Sequence, residues 1–165
     1  MVHLKRVFIF WVMMAAGLIP ALPQAHEVQP VVVDITLDQE SVNLEVILNV
    51  EVVLAGIDAS TTQDTNDSPA ADQYDDLRRL DAAALSQVIT ARKAVILDAV
   101  NLSTDQQRLD LSLIDTATET NVDPVLPRQT RLRLMAELPP GDAPVTLGLD
   151  ASLGAFAIRQ QDDRI

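Results

Sequence analysis

Few side chains in this sequence are suited to chemistry, and the best placed are His26 and Glu27 in the stretch PALPQAHEVQP. They stand behind an apolar run, Val7 to Leu22, that follows Lys5 and Arg6 and ends in Pro20, Pro23 and Ala25. A basic start, an apolar middle and a small residue at the cut is the order of a secretory signal peptide, here residues 1–25. Cleavage after Ala25 makes His26 the first residue of the mature chain. Its α-amine and ring nitrogen then form one chelate, which suits Cu or Ni because Cu(II) and Ni(II) favour nitrogen ligands in a square-planar arrangement. The amine has a low enough pKa to surrender its proton to a metal. Glu27 adds a carboxylate. The plainer reading makes His26 only the polar residue after a cleavage point. The other histidine, His3, leaves with the leader, and the chain has no cysteine. Pro23 stands where a small residue is usual before a cut. Left uncleaved, the run of about 16 residues is a membrane anchor, though a short one against the roughly 20 residues of a bilayer span.

A second candidate is the acidic stretch with Asp64, Asn66, Ser68, Asp72 and Asp75. It echoes a calcium loop but breaks the pattern at its two critical places. Pro69 stands where the sharp turn needs glycine, and Asp75 replaces the bidentate glutamate. Helix capping by Asp67 and Ser68 accounts for most of these residues.

The third candidate is Tyr74 with Asp75 and Arg78, a partner-binding face on a helix. Its alternative is structural: Tyr74 and Leu77 pack the helix down, and Asp75 pairs with Arg79 one turn on. Catalysis finds little support. A Cys–His pair is impossible, a serine triad would have to recruit His26 at the chain terminus, and no G-x-S-x-G stretch exists. No phosphate loop or dinucleotide fingerprint is present.

The elements that would position these groups read mainly as strands. Residues 31–37, VVVDITL, form one. Residues 42–54 alternate apolar and polar side chains, the mark of a strand with one dry and one wet face. The polar turn at 38–41 joins the two as a hairpin. A loop over 56–73 leads to a helical insertion at 68–95. Ser68 is its expected N-cap, Pro69 its first position, and Asp81 the cap of a second helix over 82–95. Arg92 and Lys93 suit that helix's C-terminal end. Strand patterns resume at AVNLS, RLDLSLID and TRLRLMAEL. The final stretches VTLGLDASLG and AFAIRQ read as a last pair. The expected fold is mainly β: an immunoglobulin-like antiparallel β-sandwich of six or seven strands over residues 26–165, with an inserted helical pair.

Composition narrows the class. The 165 residues carry 24 acidic and 12 basic side chains, a net charge of −12, and loss of Lys5 and Arg6 takes it to −14. Such a chain repels phosphate backbones, which excludes nucleic acid as a partner. An exported chain without disulfides must be held by its core, which fits a periplasmic location. Beyond the leader only Tyr74 and Phe156 are aromatic, too few for stacking platforms.

The order of AHEVQP, LNVEVVLAGID, TNDSPAADQYDDLRRL and LPPGDAPVTLGLDASLGAFAIRQ resembles the N-terminal extracytoplasmic region of HupE/UreJ-like membrane proteins. That bacterial family is linked to hydrogenase and urease accessory functions, with nickel transport attributed to some members. The resemblance covers most of residues 26–160. It implies a non-enzymatic module that docks to a membrane or periplasmic partner in nickel or other metal handling. A departure qualifies it: the sequence stops at Ile165, where family members run on towards membrane helices. The alternative is a soluble periplasmic Cu/Ni-binding protein built on His26.

Overall fold

The computed structural model describes residues 28–105, 107–120, 123, 126–141 and 143–160. The expected leader, residues 1–25, and the pair His26 and Glu27 lie outside the described residues. Strands dominate and form two antiparallel-rich sheets, as a β-sandwich requires. They are β1 (Val31–Leu37), β2 (Ser41–Leu48), β3 (Val100–Thr104), β4 (Ser112–Thr118), β5 (Thr130–Glu137), β6 (Val145–Leu149) and β7 (Phe156–Gln160). The larger sheet has the order β4-β5-β2-β1-β7, and β3 pairs with β6 in the smaller one.

Period-two alternation builds the large sheet. Val42, Leu44, Val46 and Leu48 of β2 are buried, as are Leu132, Leu134 and Ala136 of β5 beside them. β1 and β2 form the expected hairpin, with Val33 opposite Val46. This dry face joins one continuous core with Leu85, Ile89 and Ile96 from the helices and with Val100 and Leu102 of β3. Burial of each such side chain contributes about 1.5–3 kcal/mol.

The expected strand over 42–54 ends early. After Leu48 the chain turns into helix α1 (Val50–Ala55). Asn49 is its N-cap, and its side chain accepts from the Val52 amide. Gly56 closes it at φ 74, and its N–H bonds back to the Val52 and Val53 carbonyls. Val50, Val52 and Leu54 are all buried, so alternation continued through a helix enclosed by the core.

The insertion also differs in detail. It holds α2 (Ala71–Arg78), α3 (Ala82–Ala91) and α4 (Lys93–Asp98). Asp81 caps α3 as expected, accepting from the Ala84 amide at 2.7 Å. Ser68 instead ends a short 3-10 turn and accepts from the Ala70 amide, one turn before α2 begins. The single helix over 82–95 breaks at Arg92, so Lys93 opens α4 and does not close α3.

The last two strands do not pair with each other. β6 runs antiparallel to β3, while β7 runs parallel to β1. Between them Gly154 sits at φ 74, where a Cβ would stand 2.9 Å from the Ala59 carbonyl oxygen. Only glycine allows both that backbone and that approach, and the turn it makes carries the chain to the other sheet. RLDLSLID becomes a strand only from Ser112. Ahead of it the Leu109 amide donates to Leu102 at 2.8 Å, tying the segment to β3.

Candidate functional site

Two groups of polar side chains stand out, one inside the molecule and one on the bare face of the large sheet. The inner group centres on Glu51 of α1, which is fully buried. Arg128, just ahead of β5, donates to Glu51 Oε1 through Nε at 2.8 Å and approaches it through Nη2 at 2.7 Å. Arg78 of α2 reaches the same oxygen at 3.6 Å. Both guanidinium groups also donate to main-chain carbonyls. Arg128 bonds to Leu80 and Leu77, and Arg78 bonds to Leu126 at 2.5 Å. Beside them Asn49 donates to the Tyr74 hydroxyl at 3.0 Å. Burial pushes the Tyr74 phenol above its ordinary value of 10.0, opposed by the Asn49 hydrogen bond and the nearby Arg78.

This group places the residues expected to bind a partner. Tyr74 is 1% exposed and the Arg78 side chain 6%, so both point inward. Asp75 is the member of the trio at the surface, and it pairs with Arg79 at 3.8 Å across one helical turn. The arrangement is a clamp: one carboxylate and two guanidiniums join α1, α2 and the segment leading into β5. Glu51 and Arg128 were not singled out from sequence. The signal for Glu51 was an acid flanked on both sides by valine in LNVEVVLAG, a placement that calls for a buried partner.

The outer group is a row across the wet face of the large sheet. The strand register sets Asp115, Arg133, Glu45, Asp34 and Arg159 side by side on five adjacent strands. Arg133 meets Asp115 at 2.9 Å, and Arg131 meets Glu45 at 2.9 Å. Arg159 grips Asp34 through two bonds of 2.6 Å each, and this partner makes its guanidinium harder to deprotonate. A shallow groove of about 320 Å³ runs here, lined by Asp34, Thr36, Asn43, Glu45, Ile114 and Arg133. Ile114 is the extra residue of a bulge between Leu113 and Asp115, and it is 55% exposed. Bulges of this kind re-aim a side chain out of a ladder. A hollow of about 570 Å³ at the end of β5 is lined by Arg108, Asp110, Ser112, Met135 and Glu137 among others.

The acidic stretch behaves as local capping. Asp64 accepts from Asn66 at 2.9 Å and starts the 3-10 turn. Among the described residues no group of three or more His, Cys, Asp or Glu side chains is placed to share a metal ion. Among them no helix is long and apolar enough to cross a membrane.

No protein-family model, no curated protein and no solved structure matches this chain. The bare sheet face carries the most distinctive surface chemistry among the described residues. Its charges are paired within the row, so it presents polarity without a strong net field, and Ile114 offers an apolar contact at the β4 edge. That suits a protein surface better than a small ionic ligand, because a partner can meet paired charges without having to desolvate a lone one.

Proposed function

We propose that this chain is a non-enzymatic exported domain of the HupE/UreJ-like extracytoplasmic type. It docks to a membrane or periplasmic protein partner that handles nickel or another metal. The finer fold reading, an immunoglobulin-like sandwich behind a cleaved leader, belongs to the same proposal. Among the described residues, seven strands divided between two sheets, with β2 beside β5 and not β3, support the sandwich part of that reading.

The observation that carries the docking reading is the open sheet face with the bulge-borne Ile114. A photo-crosslinking residue at position 114 tests it in cells exporting the full chain. The expected outcome is one discrete adduct, absent when the same probe sits at Arg92 on the helical side. Equal labelling from both positions, or none from 114, rejects this face as the docking surface.

The alternative, a soluble Cu/Ni-binding protein using His26, is favoured by one sequence observation: His26 follows directly on Ala25. N-terminal sequencing of the exported protein, followed by Cu(II) and Ni(II) titration beside His26→Ala, separates the two. Equal affinity in both proteins, or a first residue other than His26, removes the chelate.

A further inference from the structure

The C-terminal strand β7 lies on the large sheet without entering the core. All five of its residues, Phe156 to Gln160, are exposed. Phe156 and Ile158 share the dry face with Val31 and Val33, their register partners, yet are 50% and 47% exposed where those valines are 3% and 0%. No buried side chain offsets the cost of ordering these five residues. Three features hold the strand. One is the ladder to β1, opened by the Val31 amide donating to the Ala155 carbonyl at 2.9 Å. Another is the turn at Gly154, where the Ala59 amide donates to Ser152 at 2.8 Å. The last is the two-bond contact of Arg159 with Asp34.

Asp34 explains why that contact matters. Its side chain is 10% exposed, and its neighbour across β2 is Glu45. Two carboxylates opposite each other on adjacent strands repel. Glu45 already meets Arg131 of β5, and Arg159 meets Asp34 from the other side, so docking of β7 places a second positive charge beside the two carboxylates.

We propose that β7 is a strap: an edge strand that opens and closes over β1 as a unit while the rest of the sheet stays folded, with Arg159–Asp34 as its latch and Gly154 as its pivot. The core in which β1, β2 and β5 bury their apolar faces includes no side chain from β7. Opening uncovers the backbone groups of Val31 and Val33 that bond to β7, and leaves the groups of Val32 and Asp34 that bond to β2 untouched.

Native-state hydrogen exchange on the whole exported chain, read residue by residue, tests this. The Val33 amide is expected to exchange roughly 100-fold faster than that of Leu134, with little dependence on denaturant, because a local opening exposes little surface. Arg159→Gln is expected to speed Val31 and Val33 further and leave Val32 unchanged. A staple provides the second arm. Val32 and Ala157 are register partners, and the chain has no cysteine of its own, so Val32→Cys with Ala157→Cys forms one defined disulfide. Parallel neighbours lie at a suitable spacing for it. Oxidation is expected to slow Val33 to the level of Leu134, and reduction to restore the fast exchange. Equal protection of Val33 and Leu134 in the unmodified chain, or exchange indifferent to the staple, overturns the strap.

Discussion

Glu51 and Arg128 lie 77 positions apart in the chain and meet inside it at 2.8 Å. Their contact joins the helix that follows β2, the central strand of the large sheet, to the segment that leads into its neighbour β5. The ion pair thus ties together two stretches separated in sequence by three helices and by strands β3 and β4. A buried carboxylate is costly without a partner and tolerable with one that is also hydrogen-bonded elsewhere. Arg128 meets that condition through the Leu77 and Leu80 carbonyls.

Arg128→Ala is expected to destabilise the domain by about 3 kcal/mol, since it leaves buried Glu51 with only the more distant Arg78 and frees two carbonyls. Glu51→Gln keeps the shape and an acceptor, so it is expected to cost less. Urea unfolding of both variants beside the parent checks the order. Loss of less than about 0.5 kcal/mol in Arg128→Ala, the range of ordinary surface changes, would contradict the clamp.

The two glycines at φ 74 make a controlled comparison. An alanine at Gly56 meets nothing within 4 Å, whereas at Gly154 its Cβ would press on the Ala59 backbone at 2.9 Å. Gly56→Ala is therefore expected to cost about 1 kcal/mol, from backbone conformation alone. Gly154→Ala is expected to cost about 2–4 kcal/mol, because overpacking adds to that strain. Thermal unfolding of the two single variants measures the difference, and an equal shift would show that the 58–60 loop yields.

These cases mark how far the sequence can be read. Strands β1, β2 and β5 were legible because one face is dry and one wet, so burial prints itself on alternate residues. Helix α1 was not, because it is buried on most sides and period two and period 3.6 then predict the same apolar residues. Its signals were the ends, Asn49 and Gly56, seven positions apart. Asp81 announced α3 correctly, since a cap needs only its neighbours. The pairing of β6 with β3 and of β7 with β1 depends on one glycine and a distant alanine, Ala59, and no local pattern carries that. Tyr74 illustrates the same limit for sites. Its helical stripe showed that it faces something, and its burial decided between core and partner.

Tyr74 joins stability to pH. Tyr74→Phe removes the acceptor of the Asn49 amide inside the molecule and is expected to cost about 1–3 kcal/mol. In the parent chain the phenol is raised above its ordinary value of 10.0. The folded state therefore holds the proton more tightly than the unfolded chain. That contribution is complete below pH 10.0 and is lost as pH rises through the folded value. Unfolding measured across alkaline pH is expected to show a decline in the parent that is smaller in Tyr74→Phe.

At the acidic end, Asp58 and Asp150 act in the opposite direction. Asp58 accepts from the Ser60 amide at 2.9 Å and its hydroxyl at 2.6 Å, and Asp150 accepts from the Ser152 amide at 2.9 Å. These bonds to serine hold both carboxyls below their ordinary value of 3.8. A lowered folded value means that the unfolded chain takes up the proton first as pH falls. The contribution is thus present above pH 3.8 and disappears as pH drops through the folded values. The double variant Asp58→Asn, Asp150→Asn is expected to lose stability at neutral pH and to approach the parent in acid. Both residues are fully exposed, so the gap is small, and a scan of denaturation midpoints from neutral to acid pH is needed to resolve it. A gap that stays constant over that range would mean that the aspartates act through loop shape and not through their charge.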